Sequence, residues 1–364
     1  MSRRLNRATL ERQLLLRRES MPVADAVRRV LALQAQEPAS PYLALWNRIA
    51  GLDPADVDAA FAGGTLVRAT LLRVTLHAVH AGDWAAVQNA MAPLLRASRM
   101  GDDRWAATGL STADAEAALA HLAAFATSPR AGAEIERMLE GRKWMWWALR
   151  TFAPLHYVPT GGPWSFRHPA SFVAAPGVLD DAEHDRSVRG LVSHYLRAFG
   201  PASTSDIARF TRLDAARVKG ALGDDLVTHP GGLLDVPGGT LPPEDTPAPP
   251  RLLPMWDNVL LAYADRGRLV PPDYRTLVYR RNGDVLPTVL VDGYVAGVWR
   301  PTDDGDIEVR AFHPLDDDTW AGLAAEARSL SVFLAGRGPT VYGRYRHWWT
   351  KGIPAAEVRL LPAA

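Results

Sequence analysis

The feature that most constrains the fold is an order of elements that occurs three times: a helix, a turn, a second helix and a β-hairpin. In the first unit, apolar residues recur at helical spacing over residues 22–34 and again over residues 42–49. Residues 65–81 then break that period and are rich in β-branched side chains, which predicts the hairpin. Helix, helix and hairpin form the outline of a winged helix. Three such outlines therefore predict three tandem winged-helix motifs.

The second and third units show the same order. Residues 111–114 and 203–206 each match a capping box, a signature of helix N-termini. In the second unit, strands at 155–158 and 164–166 flank a glycine turn, and in the third unit the hairpin turns at 230–232. Both units thus repeat the outline of the first without repeating its sequence.

A proline-rich segment at 240–250 ends the repeats. Beyond it the chain alternates between apolar and polar residues, with hairpin turn signals at 282–283 and 292–293 and a helix at 320–334. This pattern predicts a β-rich C-terminal domain that resembles a small barrel. We therefore expect an α+β protein whose domains span residues 1–107, 108–182, 183–245 and 246–364.

Composition excludes several kinds of chemistry. The 364 residues include no cysteine, which excludes disulfides, thiol catalysis and thiolate metal sites. Residues 1–20 are charged without a signal-peptide core, and no apolar run is long enough to span a membrane, so we expect a cytoplasmic protein. His77 and His80 lie three apart on a predicted strand and point to opposite faces, so we expect no metal site. Phosphate loops and nucleophile elbows are also missing from the sequence.

The net charge of +1 hides two basic regions. Residues 1–36 carry eight arginines against three acidic residues, and residues 337–351 carry four cations, four aromatic residues and no acid. Such regions could follow a phosphate backbone. Solvated arginine faces are the alternative, and the charges alone do not decide between them.

The segment LALQAQEPAS, residues 31–40, ends the first predicted helix with two glutamines. Gln34 continues the apolar stripe, so its buried amide needs a hydrogen-bond partner. Gln36 precedes Glu37-Pro38, which predicts an exposed helix end. The two amides are either a capping structure or the floor of a polar site.

Taken together, the three helix-helix-hairpin outlines and the basic regions indicate a multi-winged-helix protein that binds DNA.

Several blocks of the sequence, in the same order along the chain, resemble the AlkZ-like winged-helix DNA glycosylases. The blocks are LALQAQEPASPYLALWNRIAG, LVRATLLRVTLHAVHAGDW, AFGPASTSDIAR, LLPMWDNVLLAYADR and VLVDGYVAGVWR. The resemblance implies three winged helices arranged in a C shape, a C-terminal β-domain and excision of alkylated purines. One branch of the family has the catalytic signature Gln-apolar-Gln, which Gln34-Ala35-Gln36 matches. Another branch has aspartate at the last position, and this chain departs from it at Gln36.

The resemblance gives the amide pair, Gln34 and Gln36, a chemical role. Alkylation at N7 makes guanine a cationic leaving group, so the enzyme has to hold a water near C1′ and stabilise charge on the sugar. A glutamine amide can accept from that water and donate to the sugar, but it cannot act as a strong general base. No lysine adjoins the motif to form a Schiff base. We expect a cofactor-free monofunctional glycosylase for cationic N7-alkylated purines in double-stranded DNA, extending to bulky natural-product adducts or interstrand crosslinks.

Ten further residues are candidates for DNA binding or for the lesion pocket. They are Trp46 and Arg48 on the next helix, Arg73, Thr75 and His77 on one face of a strand, Arg280, Arg281 and Asn282 at a hairpin tip, and Arg344 and Arg346 in the second basic region. A non-catalytic winged-helix regulator would explain the repeats and basic regions equally well, but not the amide pair. Such regulators usually bind as symmetric dimers, and no dimerisation segment is evident. We therefore expect a monomer that acts at the nucleoid, in DNA repair or antibiotic self-resistance.

Overall fold

A computed structural model of the chain describes residues 2–166, 168–175, 181–337 and 341–363. The helices in this part of the chain are α1 (Ser2–Arg12), α2 (Val23–Arg29), α3 (Ser40–Trp46), α4 (Pro54–Ala62), α5 (Ala81–Met100), α6 (Asp103–Ala106), α7 (Thr112–Phe125), α8 (Gly132–Met138), α9 (Lys143–Phe152), α10 (Asp181–Phe199), α11 (Thr204–Thr211), α12 (Ala215–Gly220), α13 (Arg275–Val278), α14 (Asp317–Leu334) and α15 (His347–Thr350). None of these helices is both long and apolar enough to cross a lipid bilayer.

The strands of the described residues belong to three antiparallel sheets. They are β1 (Leu33–Gln34), β2 (Leu66–Thr70), β3 (Leu76–His80), β4 (Arg130–Ala131), β5 (Leu155–Tyr157), β6 (Ser171–Ala174), β7 (Val227–His229), β8 (Leu233–Asp235), β9 (Arg251–Leu253), β10 (Thr288–Val291), β11 (Tyr294–Pro301), β12 (Ile307–Ala311) and β13 (Glu357–Leu361). One sheet has six strands in the order β1-β3-β2-β5-β6-β4, one pairs β7 with β8, and one has five strands in the order β13-β12-β11-β10-β9. Helices mixed with antiparallel sheets confirm the α+β class.

Several helices begin where local side-chain signals predict. Ser111 and Asp114 exchange the two hydrogen bonds of a capping box, Ser111 N to Asp114 Oδ2 at 2.8 Å and Asp114 N to Ser111 Oγ at 3.2 Å. Ser203 and Asp206 do the same at the start of α11. Both predicted capping boxes are therefore confirmed.

The hairpins of the first two predicted units share the six-stranded sheet. Strand β2 pairs with β3 on one side and, through Arg68 opposite Tyr157, with β5 on the other. Helix α5 packs against both α9 and α10. One continuous sheet thus joins the segments on either side of residue 107, and the division of the chain into winged-helix domains stays a prediction.

The C-terminal sheet is a meander in which each strand pairs with its neighbours in sequence. Strands β10 and β11 meet at Asp292-Gly293, where both residues have positive φ (48° and 80°), as a two-residue hairpin turn of this kind requires. Helix α14 packs on β9 and β13. The hairpin predicted at 292–293 is confirmed, while closure of the sheet into a barrel stays a prediction.

Helix α1 connects the repeats to the C-terminal sheet through buried arginines. Arg12 donates from both Nη atoms to Asp235 of β8, at 2.7 Å each. Arg7 is paired with Asp292 at the β10–β11 turn. Two of the N-terminal arginines that could have followed a phosphate backbone therefore hold the protein's own elements together.

The helix predicted over residues 22–34 ends early. Val27 and Val30 are buried, as the apolar stripe indicates, but α2 stops at Arg29 and Leu31 has a positive φ of 78°. The chain then extends into β1, which pairs with β3. Gln34 is thus buried as predicted, but it lies on a strand, because hydrogen bonds to a distant hairpin replace the helical ones.

The position predicted for the second strand of the second unit's hairpin is also wrong. Strand β5 forms near its predicted position, but its partner is β6, residues Ser171–Ala174, and not residues 164–166. The intervening chain carries a positive φ at Gly161, Gly162 and Ser165, a run of turns that an extended strand cannot contain. The apolar pair Trp164 and Phe166 packs instead against the core.

Candidate active site

The Gln34-Ala35-Gln36 segment lies at the edge of the six-stranded sheet, against the β2–β3 hairpin. Gln34 is in register with His77, and Ala35 N donates to the carbonyl oxygen of Leu76 at 2.8 Å. From β2, the Arg68 Nε donates to the carbonyl oxygen of Ala35 at 3.0 Å. Both polar backbone groups of Ala35 are therefore bonded, and the position of the two flanking glutamines is fixed by the hairpin.

Gln34 is 5% exposed, and its amide is satisfied on both sides. Its Nε2 donates to Thr75 Oγ1 at 3.2 Å, and its Oε1 accepts from the backbone N of Gln36 at 2.8 Å. The Thr75 hydroxyl in turn donates to the carbonyl oxygen of Leu72 at 3.1 Å. Gln34 thus holds the backbone of Gln36, and its own amide has little freedom to contact a substrate.

Arg73 and His77 extend this hydrogen-bond network. Arg73 Nη2 lies 3.1 Å from His77 Nε2 and donates to Asn258 Oδ1 at 2.9 Å. Because a guanidinium only donates, Nε2 is the acceptor and the ring proton lies on Nδ1, which donates to the carbonyl oxygen of Thr75 at 3.0 Å. Burial, reinforced by the charge of Arg73, lowers the pKa of His77 well below its usual range. The ring is therefore neutral and has a fixed tautomer.

The structure brings together Arg73, Thr75 and His77, but they do not share one face of a strand as predicted. Only His77 lies in β3, and Arg73 lies in the 3-10 turn Leu72–Val74 with a φ of 55°. The Arg73 guanidinium faces inward, 4.7 Å from the ring centroid of Phe210, and burial lowers its pKa to about 9. In this conformation the three residues support the glutamine motif through the contact of Thr75 with Gln34.

The C-terminal region reaches the motif through Asp257 and Asn258. Asn258 accepts from Arg73, and its Nδ2 donates to the carbonyl oxygen of Ala32 at 2.7 Å, two residues before Gln34. Sequence reasoning did not single out either residue, although both lie in the block LLPMWDNVLLAYADR. The motif is therefore held from two sides, by the β2–β3 hairpin and by the C-terminal region.

Arg48 and Trp46 lie in the core instead of at a DNA-facing surface. Arg48 donates from both Nη atoms to Asp257, at 2.8 and 2.9 Å, and both side chains are only 1% exposed. Trp46 is buried against Phe333, with Arg18 stacked 4.6 Å from its ring centroid. Neither candidate can contact DNA in this structure, because burial separates both from the surface.

The remaining cationic candidates occupy separate places. Arg280 stacks on Trp348 at 5.0 Å, and Arg281 and Asn282 are exposed at the adjacent turn. Arg346 is paired with Asp303. Of these cationic candidates, only Arg344 lies near the glutamine motif, where it lines a cleft beside Gln36.

A cleft of about 440 Å³ opens beside Gln36, a volume within the usual range for ligand sites. Gln36, Thr75 and Arg344 contribute to its lining. Its aromatic residues are Trp146, Tyr157, Phe166 and Phe172, and its arginines are Arg68, Arg99, Arg150 and Arg344. Of these, sequence reasoning had found only Arg344. Most of the others come from the second predicted unit, so only the shared sheet brings them to the motif.

Gln36 is exposed at this cleft with its side chain nearly free. Its Oε1 lies 3.5 Å from Leu76 N, at the outer limit of a hydrogen bond. Within the described residues no carboxylate lines the cleft. Adjacent Glu37 is half-buried, with Oε2 at 3.8 Å from Arg344 Nε, and burial raises its pKa. Gln36 thus presents a neutral amide to the cleft.

Comparison with known proteins identifies the family of this chain. A family model described as DNA glycosylase AlkZ-like matches residues 27–333. Among solved structures, the Streptomyces sahachiroi DNA glycosylase AlkZ is similar with a TM-score of 0.75, covering 90% of this chain and 95% of that one at 20% identity, which shows a shared fold. No curated protein sequence matches the chain. Because the family model spans most of its length, this chain belongs to the AlkZ-like DNA glycosylases and is an enzyme of that family.

Proposed function

We propose that this protein is a monofunctional glycosylase that hydrolyses the N-glycosidic bond of cationic N7-alkylated purines in double-stranded DNA. The observation that supports this most directly is the contrast within the glutamine motif. The Gln34 amide is bonded on both sides, whereas the Gln36 amide is exposed at a cleft lined with aromatic and cationic side chains. A neutral amide on a fixed backbone beside such a cleft suits a reaction that needs a positioned water and no strong base.

In the proposed reaction, the C1′–N9 bond breaks and its electron pair passes to N9, which neutralises the positive charge of the alkylated base. Water then adds to C1′ and loses a proton to solvent. Gln36 accepts a hydrogen bond from that water and orients it, and Gln34 holds Gln36 in place through its backbone N–H. This assigns the direct contact to Gln36 and the positioning role to Gln34, in the Gln-apolar-Gln branch of the family.

This chemistry limits the substrates. Because glutamine does not titrate, the enzyme has no strong acid or base at Gln36 to activate a neutral base for departure. The sequence has three lysines, at 143, 219 and 351, and none of them lines the cleft. A Schiff base with the sugar is therefore not supported, and the abasic site is the expected final product.

The aromatic residues suggest a wider substrate range. Tyr157 and Phe166 line the cleft and are only half-buried, and behind them the buried rings of Trp146 and Phe172 pack edge to face with 4.9 Å between their centroids. Such a surface can stack against a planar adduct attached at N7. We propose that bulky adducts and interstrand crosslinks are substrates as well, with the enzyme acting as a monomer at the nucleoid in repair or antibiotic self-resistance.

The test is an excision assay on duplexes that each carry one lesion: N7-methylguanine, a bulky N7 adduct, an N7 crosslink, or neutral 8-oxoguanine and uracil. We expect abasic sites from the cationic lesions only, with strands cleaved after alkali treatment but not before it. Excision of the neutral bases at a similar rate, or strand cleavage without alkali, would contradict the proposed mechanism.

A further inference from the structure

Arg68 is a buried cation of the cleft that forms no ion pair within the described residues. It is 7% exposed, and Glu37 lies near enough to act on its charge without forming an ion pair with it. Its Nε donates to the carbonyl oxygen of Ala35, and its guanidinium lies 5.0 Å from the ring centroid of Tyr157 and 4.7 Å from that of Phe166. The Nη atoms make no hydrogen bond to the described part of the chain, although Arg68 lines the cleft.

Two other arginines, buried to a similar degree, form the ion pairs that Arg68 lacks. Arg12 makes two bonds of 2.7 Å to Asp235, and Arg48 makes two bonds of 2.8 and 2.9 Å to Asp257. A buried charge normally requires such a partner. Burial lowers the pKa of Arg68 to about 10, and the charges of Tyr157 and Glu37 offset that effect only in part. Arg68 therefore remains charged at neutral pH without the two-bond ion pair that the other two have. Because its Nη atoms have no hydrogen-bond partner within the described residues, we expect a ligand to supply one.

The surroundings of Arg68 favour an anion. Arg99, Arg150 and Arg344 line the same cleft, and no described lining residue is acidic. Arg344 is two-thirds exposed and only loosely paired with Glu37, at 3.8 Å. The anionic groups of duplex DNA are its phosphodiesters, and a guanidinium donates to phosphate oxygens through its fork of N–H groups. A backbone phosphate is therefore the part of the substrate that fits Arg68, and the aromatic side of the cleft is left to the base and its adduct.

We propose that Arg68 is the phosphate anchor of this active site. Its free Nη atoms bind the phosphodiester beside the lesion nucleotide, while its Nε keeps hold of Ala35, between the two glutamines. One side chain thereby sets the distance from the DNA backbone to the amide of Gln36, which makes Arg68 a positioning residue. The inference rests on the proposed function. Lysine could not replace it, since an ammonium lacks the fork of donors needed for both contacts.

The experiment measures binding to a duplex that carries an uncleavable abasic analogue, in which one phosphate at a time is replaced by a neutral methylphosphonate. Wild type, Arg68→Gln and Arg68→Lys are compared with Arg359→Gln, a matched control on the exposed edge strand β13. We expect one replacement to weaken wild-type and control binding by about 10-fold or more, and Arg68→Gln binding hardly at all. If the loss of binding caused by Arg68→Gln and the loss caused by each phosphate replacement simply add at every position, Arg68 is not a phosphate anchor.

If Arg68→Gln folds poorly, two further measurements still distinguish a phosphate anchor from a purely structural residue. Arg68→Lys keeps the charge, and we expect it to retain part of the phosphate coupling while excision at saturating enzyme slows by about 10-fold or more. A merely structural residue would lower stability without singling out one phosphate. The binding experiment needs no catalysis, so coupling without excision of N7-methylguanine contradicts the proposed function alone. Excision without coupling contradicts the anchor alone.

Discussion

At the Gln34–Gln36 motif, two identical side chains have different environments and therefore different roles. The buried amide of Gln34 is bonded to Thr75 and to the backbone of Gln36. Behind Thr75, neutral His77 connects to Arg73 and so to the C-terminal region. Because this network fixes Gln34 and the backbone of Gln36, the Gln36 side chain starts from a fixed point at the cleft while its amide stays free to meet a substrate.

The neutral state of His77 predicts a pH dependence of stability. Burial and the charge of Arg73 lower its pKa in the folded state, so on acidification the unfolded state binds the proton first. The free energy of unfolding should therefore fall as the pH drops below about 6.5, by up to about 1.4 kcal/mol for each pH unit. Urea unfolding at pH 7.5 and 5.5 measures the fall.

His77→Gln should reduce this dependence, since an amide does not titrate. Burial also lowers the pKa of His156, to about 4, and that of His194, and both groups continue to contribute equally in wild type and variant. An equal loss of stability on acidification in wild type and His77→Gln would show that His77 is not the neutral, hydrogen-bonded group described above.

At the scale of elements, the sequence predicts best what neighbouring residues determine. The capping boxes at Ser111 and Ser203 are correct because their hydrogen bonds span three residues. Strand β1 could not be predicted, since Gln34 keeps the helical phase of the preceding stripe and only pairing with β3, about forty residues on, overrides it. The same sheet brings the aromatic side of the cleft to the motif.

One signal for the cleft was present in the sequence. In LVRAT, residues 66–70, an arginine lies among small and apolar residues of a strand with strong β propensity. Charged residues are rarely buried unless they are paired or functional, so Arg68 could have been singled out as a candidate. Its contacts with Ala35, Tyr157 and Phe166 could not, because they depend on which strands become neighbours.

At the scale of the whole molecule, buried ion pairs join parts of the chain that are far apart in sequence. Arg48 and Asp257 are 209 residues apart, and Arg12 and Asp235 are 223 apart. Asn258, the next residue after Asp257, is bonded to Ala32 just before the glutamine motif. The same C-terminal segment therefore stabilises the fold and holds the glutamine motif in place.

This arrangement predicts a strong effect of breaking the Arg48–Asp257 pair. Arg48→Met leaves a buried carboxylate without a partner, and we expect it to destabilise the protein by about 3–5 kcal/mol. The double variant Arg48→Met/Asp257→Leu should recover most of that loss, since neither charge remains. Chemical denaturation of both variants measures the coupling. A double variant as unstable as the single one would show that the pair is not the stabilising element.

The most direct test of the central claim is single-turnover excision of N7-methylguanine by Gln36→Ala, with binding to an uncleavable abasic duplex measured in parallel. Gln88→Ala serves as the control, because that glutamine is buried against Phe152 and does not line the cleft. We expect Gln36→Ala to slow excision by about 100-fold or more while its Kd and the control's excision rate stay near wild type. If Gln36→Ala excises the base at close to the wild-type rate, Gln36 does not position the water and the glutamine pair is a structural feature of the sheet edge.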